Sequence, residues 1–449
     1  MEIHPQDEVL ERLARTGGEA DPRLLRHLSG CPRCRTRLAG LRLREGEPAP
    51  VVRLRPGSDL AYDDAFDRSL RIAQGWDAAL RRERSEAPGL LAELAAHSPE
   101  QCEILLGNGH RFHRWGLAEL LVERSLEESI RVPERGEHLA RLALRVADLV
   151  EEDLYGAARL EDLRARAWAH VGNARRIRSD LRGAQRAFER AWEHLQEGTQ
   201  DLFERAIVSD LQASLLRDQR RFSEASRLLG RAISMFLELG ERHRAGRSLV
   251  NRATVCHHAG SPESGIPLLQ RALELIEPAQ ESRLLLIARH NLVFYLASSG
   301  RFLEARRAYR EALPLYRDFP DAWTQNRRRW VQGKIALGLG QPEQAEALFL
   351  AARDGFLAEE IPYDTALVSL ELAVLYAREG RTAELKRLAA EMMPIFASRQ
   401  IHREALAALA FFRQAVESEH AGVEAVTRVS EYLRKARHAP ELRFPGDSG

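Results

Sequence analysis

Three residues near the start of the chain have the types and the spacing of a metal site. His27, Cys31 and Cys34 form the pattern H-x3-C-x2-C. A Cys-x2-Cys turn brings two thiolates toward one ion, and a histidine one helical turn earlier points toward the same place. Zinc prefers four tetrahedral ligands, and the remaining candidate nearby is His4. We therefore predict one structural Zn²⁺ ion held by His4, His27, Cys31 and Cys34, with no open position for catalysis.

The segment HLSGCPRCR, residues 27–35, resembles the zinc-finger module of anti-sigma factors. His27, Cys31 and Cys34 match the ligands that this family arranges as H-L-x2-C-x2-C-R. His4, followed by Pro5, stands where the family has a variable Cys or His. The resemblance implies a small helical module that docks a second protein, with a sigma factor or another transcription-associated protein as the candidate partner.

Three roles for this module stay open. A proline-rich stretch follows it, in place of the helices with which anti-sigma factors wrap a sigma factor. The module is then a zinc-dependent docking unit, a redox sensor whose oxidised thiolates release the metal, or a unit that packs without zinc.

A repeat of about forty residues fills the C-terminal two-thirds of the chain. Small or apolar residues mark it at steps of 41, 40, 40, 40 and 40. These anchors are Ala184, Ala225, Gly265, Ala305, Ala345 and Leu385. A large or apolar residue follows each anchor by four positions in most repeats, and an alanine follows by seven. This spacing is one face of an α-helix.

A second small or β-branched residue lies twelve positions before each anchor, within a preceding helical segment. These residues are Gly172, Ala213, Ala253, Val293, Gly333 and Ala373. A small side chain at this place lets two antiparallel helices cross closely. Gly300, Gly340 and Gly380 precede their anchors by five positions, where the turn between helices needs a residue that tolerates a positive φ.

This pattern resembles the tetratricopeptide repeat. The match consists of the small residue in the first helix, the Ala-x3-aromatic-x2-Ala motif in the second helix, and a tryptophan near the front of the first helix, at Trp168 and Trp330. The period exceeds the ~34 residues of that family, which predicts longer helices or longer connections. The resemblance implies an all-α fold, a right-handed superhelical solenoid of antiparallel helix hairpins.

We divide the chain into five segments on these grounds. Residues 1–43 form the zinc module, and residues 44–59, which contain three prolines, form a linker. Residues 60–162 form diverged helical hairpins. Residues 163–438 hold the repeats and a C-terminal cap whose outer face meets water. Residues 439–449 are expected to be disordered.

The first helices of the repeats should line the inner, concave face of the solenoid, and their polar residues could bind a ligand. These residues include Asn173, Arg247, Asn251, Asn291, Arg327 and Lys334. Asparagine pairs with both the N–H and the C=O of an extended peptide, and Arg or Lys binds a carboxylate. The residues therefore indicate either a groove for an acidic or C-terminal peptide or an ordinary solvated polar face.

Composition excludes several classes of function. The chain has 67 basic and 66 acidic residues, a balance that argues against a dedicated nucleic-acid binder. It has no run of eighteen apolar residues and no apolar segment at the start, so we expect no membrane span, no signal peptide and a cytoplasmic location. Phosphate-loop, Gly-x-Ser-x-Gly, His-Glu-x2-His and dinucleotide motifs are missing, so we expect no enzyme.

These observations predict a non-enzymatic bacterial scaffold or regulator. The solenoid groove would bind a protein or peptide partner, while the zinc module docks a second one. The alternatives are a sensor that binds a peptide ligand in the groove and a redox-responsive regulator of the anti-sigma type.

Overall fold

The computed structural model describes residues 60–397, 403–417 and 423–436, together with nine N-terminal residues. Those nine are Pro5, Val9, Leu10, Leu24, His27, Leu28, Cys31, Cys34 and Leu38. The chain forms two compact units, Met1–Gly75 and Trp76–Gly449. His4, the expected linker at 44–59 and the expected tail at 439–449 lie outside the described residues.

The described part of the chain from residue 60 onward is built from α-helices joined by short turns. In chain order the helices are α1 (Leu60–Ala95), α2 (Pro99–Asn108), α3 (Trp115–Arg131), α4 (Pro133–Leu149), α5 (Glu152–Tyr155), α6 (Ala157–Ile177), α7 (Leu181–Glu197), α8 (Leu202–Asp218), α9 (Phe222–Glu238), α10 (Arg242–His258), α11 (Pro262–Leu275), α12 (Ser282–Ser298), α13 (Phe302–Asp318), α14 (Ala322–Gly338), α15 (Pro342–Ala358), α16 (Pro362–Arg378), α17 (Thr382–Ala397), α18 (Arg403–Glu417) and α19 (Val423–Ala436). None of them is both long enough and apolar enough to cross a membrane. The predicted all-α solenoid of helix hairpins is confirmed.

Helix length explains the long period of the repeat. Most helices from α8 to α16 have 17 residues, and a turn of about three residues joins each to the next. A hairpin therefore takes about forty residues, and the longer helices account for the excess over the tetratricopeptide period. In each hairpin from α6 to α17 the even-numbered helix comes first and the odd-numbered helix second.

The three-residue turns within the hairpins have a residue with a positive φ at their centre. Gly300, Gly340 and Gly380 have φ values of 74°, 75° and 69°, as the sequence predicted. The N–H of the following Arg301 donates to the carbonyl oxygen of Leu296 at 2.9 Å. This bond satisfies a free carbonyl at the end of α12 and reverses the chain within three residues. Arg220 takes the same conformation, with a φ of 60°, without being glycine.

The close crossing of the two helices forms the core of each hairpin. Gly172 of α6 meets the ring of Phe188 of α7, and Gly333 of α14 meets the ring of Phe349 of α15. Both rings are fully buried, and so are the predicted small residues in the other hairpins. Burying one such aromatic side chain contributes about 1.5–3 kcal/mol. The predicted small-residue crossing is therefore observed.

Successive first helices approach one another more closely than successive second helices do. Helix α6 packs against α8, and the contacts continue from α8 through α10, α12 and α14 to α16. The second helices instead pack against the first helices on either side of them. Because the first helices are closer together, they line the concave face of the array.

Irregular helices precede the regular repeats. Helix α1 is 36 residues long and contains Pro88. Helices α3 and α4 form a hairpin in which Gly136 lies directly against Ser129, and α4 packs against α6. Ala140 and Ala147, seven residues apart on one face of α4, are both buried. A tetratricopeptide-like hairpin thus precedes α6, but α1 and α2 do not follow the repeat.

The last helix closes the array. Helix α19 packs against α18 and returns to α16, two helices earlier than α18. Its apolar residues Val426, Val429 and Leu433 are buried in this contact. The final hairpin therefore covers an apolar face that another repeat would otherwise bury, which is the function of a cap.

The crossing predicts opposite effects for two glycine-to-alanine substitutions. A Cβ atom at Gly333 would lie 2.6 Å from the ring of Phe349, whereas one at Gly230 in α9 meets no atom closer than 3.7 Å. Gly333→Ala should destabilise the protein by about 1–2 kcal/mol, because overpacking outweighs helix propensity. Gly230→Ala should stabilise it by up to about 1 kcal/mol. Thermal unfolding followed by circular dichroism tests both, and equal melting temperatures for the two variants would contradict the close crossing.

Candidate functional site

The cysteine–histidine cluster of the N-terminal unit brings three of the four predicted ligands together. The ligand atoms of His27, Cys31 and Cys34 all lie within 4.8 Å of one another. His27 Nε2 is 3.4 Å from Cys34 Sγ, and both cysteines are buried. The N–H of Cys31 donates to the carbonyl oxygen of His27 at 2.9 Å, which keeps the two residues one helical turn apart.

This cluster fits zinc. Tetrahedral zinc with Zn–S bonds of ~2.3 Å and Zn–N bonds of ~2.1 Å separates its ligand atoms by about 3.5–3.8 Å. The His27–Cys34 separation of 3.4 Å is close to this range, and since all three ligand atoms lie within 4.8 Å of one another, small side-chain shifts would complete the geometry. Leu10 and Leu28 pack around the two cysteines and limit water access. The predicted fourth ligand, His4, lies outside the described residues.

The second site is the concave face, where the structure places the six predicted groove residues on first helices. Asn173 is almost fully buried, with only 4% of its surface exposed. Its Oδ1 accepts hydrogen bonds from Nε and Nη2 of Arg176, at 3.2 and 3.0 Å. Arg176 in turn pairs with Asp218 of α8 at 2.7 Å. Asn173 therefore supports an arginine and is not open to a ligand.

Ion pairs join successive first helices along the concave face. Each pair connects a base on one helix with an acid on the next first helix or just before it. We name this set the ion-pair ladder, and its members are Arg166–Glu204, Arg176–Asp218, Arg247–Glu281, Arg283–Asp321 and Lys334–Glu371. Two of the predicted carboxylate-binding residues, Arg247 and Lys334, are thus already matched by acids of the protein.

Three pairs of the ladder, Arg166–Glu204, Arg176–Asp218 and Lys334–Glu371, are largely buried, so their charges interact more strongly than those of the two more exposed pairs. The side chains of Lys334 and Glu371 are 13% and 12% exposed and lie 2.7 Å apart. Burial raises the pKa of Asp218, but the guanidinium groups of Arg217 and Arg176 outweigh that effect and hold the pKa below its ordinary value. These contacts fix the spacing of the first helices, which gives the concave face a defined shape.

Two predicted asparagines keep open hydrogen-bonding atoms. Asn251 of α10 donates from Nδ2 to the carboxylate of Asp210, at 3.2 and 3.3 Å, and its Oδ1 has no partner in the described part of the chain. Asn291 of α12 makes no hydrogen bond with any described residue, and both of its polar atoms reach solvent. The two residues hold the same position in successive repeats, forty residues apart.

Arg327 and Trp323 of α14 border a shallow depression of about 20 Å³ beside Asn291. The Arg327 guanidinium lies 4.7 Å from the Trp323 ring, and its Nε donates to Nε2 of His290 at 3.2 Å. The residues lining the depression include the arginines Arg283 and Arg327 but no acid. Ile287, which is 36% exposed, adds an apolar edge. This part of the face suits an apolar side chain beside a negative group.

Two histidines of the first helices are buried and neutral. His170 of α6 is 7% exposed, and its Nδ1 has no hydrogen-bond partner. Burial, together with the positive charges of Arg166 and Arg244, lowers the pKa of His170 to about 3. Burial and then Arg327 likewise lower the pKa of His290.

Sequence reasoning missed several of these residues. His170 holds the same repeat position as Asn251 and Asn291, so the register itself gave a signal. Asp210 lies one position earlier in its repeat, at a place that the tetratricopeptide pattern does not assign to the inner face. The equivalent position is Val250 in the next hairpin and His290 in the one after it. A polar residue at this position is therefore not unique to Asp210.

The comparisons with known proteins agree with a tetratricopeptide-like solenoid. Residues 244–318, which span most of α10 through α13, match the tetratricopeptide repeat family. The fold is similar to that of a Rap protein solved in complex with competence and sporulation factor, with a TM-score of 0.53, 14% identity, and coverage of 72% of this chain and 88% of that chain. It is also similar to aspartyl phosphate phosphatase F from Bacillus subtilis, with a TM-score of 0.50, 12% identity, and coverage of 89% and 96%. No curated protein matches the chain.

At these identities the structural likeness establishes the fold alone. The family match includes Arg247, Asn251 and Asn291, so the part of the concave face with open amide groups lies in the stretch that is tetratricopeptide-like by sequence as well.

The neutral state of His170 predicts a loss of stability in mild acid. The unfolded chain binds a proton at His170 near pH 6.5, whereas the folded protein does not until about pH 3. The unfolded state is therefore favoured as the pH falls below 6.5, and His170 should remove about 1.4 kcal/mol of stability between pH 7.5 and 5.5. Urea unfolding of wild type and His170→Gln at both pH values measures this. An equal pH-dependent loss in the two proteins would show that His170 titrates normally.

Proposed function

We propose that this protein is a non-enzymatic interaction protein of the cytoplasm whose concave face binds an extended peptide or an extended segment of a partner protein. The observation that carries the proposal is that Oδ1 of Asn251 and the amide of Asn291, at one position of successive repeats, have no hydrogen-bond partner in the described part of the chain. Nothing in the proposal involves nucleic acid or a membrane.

The spacing of the first helices suits an extended chain. Packed helices lie about 8–10 Å apart, and an extended peptide advances about 3.3 Å per residue. Asn251 and Asn291 would then meet backbone groups about three residues apart. Oδ1 of Asn251 can accept from a backbone N–H, and the amide of Asn291 can both donate and accept, so each can pair with a peptide group whatever side chain the ligand residue carries.

The depression beside Asn291 adds a preference for side chains. Arg327 provides positive charge, since Arg283 is already paired with Asp321, and Ile287 with Trp323 provides apolar surface. An acidic group next to an apolar side chain, or an apolar residue that carries a C-terminal carboxylate, fits this combination. The ion-pair ladder keeps the face in one shape before the ligand arrives, which lowers the ordering cost of binding.

The likeness to a Rap protein solved with a bound factor favours a second form of the proposal. In this form the ligand acts as a signal: it bridges neighbouring first helices and tightens the solenoid. The ladder connects the same helices, so a ligand that changed their spacing would change the whole array. A binding partner and a signalling ligand would use the same two asparagines.

For the N-terminal unit we propose a structural zinc module that docks a second partner. His27, Cys31 and Cys34 would hold the ion, with His4 as the fourth ligand. With four protein ligands the ion would have a structural role and would stabilise the fold of a small domain. The resemblance to anti-sigma modules makes a sigma factor or another transcription-associated protein the partner to test. Oxidation of the thiolates would release the ion and couple docking to redox state.

The peptide proposal predicts a loss of binding when both asparagines are shortened. Heptapeptides selected on the wild-type protein from a random display library serve as probes. Asn251→Ala with Asn291→Ala should weaken the selected peptides by about 10–100-fold, because two hydrogen bonds are lost. The melting temperature should stay within a few degrees of wild type.

Asn108→Ala is the matched control, because Asn108 is exposed in α2 and lies away from the first helices of the repeats. Its affinity for the same peptides should equal that of wild type, as measured by isothermal titration calorimetry. Unchanged affinity in the Asn251 and Asn291 double variant would exclude the concave face as proposed.

The zinc proposal predicts about one zinc ion per chain, measured by mass spectrometry of the purified protein after dialysis. Cys31→Ser with Cys34→Ser should lose the ion, and His4→Ala should weaken its retention against a chelator. Cys256→Ser, which changes a cysteine of α10, should keep a full complement. Wild-type protein without zinc after growth in zinc-rich medium would refute the site.

A further inference from the structure

A buried carboxylate lies behind one of the two asparagines of the concave face. Asp210 of α8 is only 9% exposed. Its Oδ1 accepts a hydrogen bond of 2.6 Å from Ser248 Oγ, and both of its oxygens accept from Asn251 Nδ2, at 3.3 and 3.2 Å. Both donors belong to α10, the next first helix. Asp210 therefore joins two hairpins through neutral partners, unlike the ion pairs of the ladder.

This contact determines which way the Asn251 amide points. Burial raises the pKa of Asp210, while the hydrogen bonds from Ser248 and Asn251 oppose that rise by favouring the ionised form. In that ionised form the carboxylate only accepts hydrogen bonds, so the NH₂ group of Asn251 faces Asp210. The reverse orientation would place Oδ1 against two carboxylate oxygens and lose the charge-assisted bond. The chemistry of the contact thus fixes which side of the Asn251 amide is nitrogen and which is oxygen.

The Oδ1 atom of Asn251 is consequently turned away from Asp210. It accepts no hydrogen bond from the described part of the chain, and it is not among the buried polar atoms that lack a partner. It therefore reaches solvent on the concave face as a hydrogen-bond acceptor, and the contact of the NH₂ group with Asp210 fixes the direction in which it points.

The next hairpin provides an internal comparison. Forty residues later, Val250, Ala288 and Asn291 replace Asp210, Ser248 and Asn251. Val250 and Ala288 offer no side-chain hydrogen bond, and Asn291 makes none with any described residue. Two asparagines at the same repeat position thus differ in freedom: the amide of Asn251 is held and that of Asn291 can turn.

We propose that Asp210 is a positioning residue that fixes Asn251 as a hydrogen-bond acceptor, so that the ligand of the concave face must donate a backbone N–H at this point. Asn291 adapts to whichever peptide group the ligand presents. This inference rests on the proposed function and narrows its ligand class. The ligand is an extended peptide with a free N–H opposite Asn251, and a proline or an N-alkylated residue at that place is rejected.

The positioning role can be tested without a ligand. The chain contains five asparagines, so selective ¹⁵N-asparagine labelling gives few side-chain signals, which Asn251→Ala and Asn291→Ala assign. At pH 8 the NH₂ proton of Asn251 that is bonded to Asp210 should exchange with solvent at least about tenfold more slowly than either NH₂ proton of Asn291, because its acceptor is a buried carboxylate. Equal exchange rates in wild-type protein would overturn the proposal.

Two variants of Asp210 separate positioning from stability. Asp210→Asn keeps the shape but can both donate and accept, so Asn251 should take either orientation and its exchange should accelerate toward that of Asn291. Asp210→Val reproduces the environment of Asn291 and should do the same. Ser248→Ala, which removes the other donor, should keep Asn251 slow. Circular dichroism reports whether each variant is folded.

The ligand requirement is tested with the tightest selected heptapeptide and its analogues N-methylated at one residue at a time. One analogue should bind wild type at least about tenfold more weakly, and Asp210→Asn should reduce this penalty to less than about threefold, because Asn251 can then present its NH₂ group. N-methylation tolerated at every position would overturn the proposal, as would a penalty that is unchanged in Asp210→Asn.

Failure of the broader proposal would look different. If the concave face binds no peptide, no heptapeptide shifts the signals of Asn251 and Asn291, whatever the exchange rates of the free protein. If only the positioning inference fails, peptides shift both signals but Asn251 exchanges as fast as Asn291.

Discussion

The structure depends on the close crossing of the two helices in each hairpin. At this crossing a glycine or alanine of one helix packs against a ring or an aliphatic side chain of the other. At Gly172 and Gly333 the phenylalanine ring lies where a larger side chain would stand. Because the crossing is tight, the second helix returns beside the first after a three-residue turn. The hairpin then presents an apolar face to the next hairpin, and stacking buries that face. The concave face follows from the same geometry, since the first helices are brought closer together than the second ones.

Much of this architecture could be predicted from the sequence, because the residues that pack at the helix crossings recur every forty or so positions and glycines occur at several of the turns. The sequence correctly predicted three of the turn residues with a positive φ, namely Gly300, Gly340 and Gly380. Arg220, within a hairpin, and Glu360, between two hairpins, take the same conformation although neither is a glycine, since the three-residue turn imposes it on the residue at its centre. A C-terminal cap was predicted, but the return of α19 to α16 depends on apolar contacts between segments about sixty residues apart.

The candidate site was less predictable than the fold. Repeat position identifies which residues face inward, and it correctly placed Asn251 and Asn291 on first helices. It does not show what each side chain meets across the gap to the next helix. Arg247 and Lys334 were interpreted as ligand-binding cations, yet each faces an acid more than thirty residues away in sequence. Asp210 was invisible for the same reason: its role depends on Ser248 and Asn251, which belong to another hairpin. The three N-terminal ligands were easier to identify because a local spacing brings them together.

The uniform length of the hairpins has a consequence for how such a protein can change. Each hairpin touches mainly its immediate neighbours, so an insertion or loss of one forty-residue unit leaves every remaining interface of the same kind. Deleting residues 242–281 would place Asp210 opposite Ala288 and Asn291, a junction in which the carboxylate again finds an asparagine but no longer finds a serine. The array can therefore gain or lose a hairpin by recombination without any change in how the remaining hairpins pack. Such an event changes the pattern of polar groups along the inner surface.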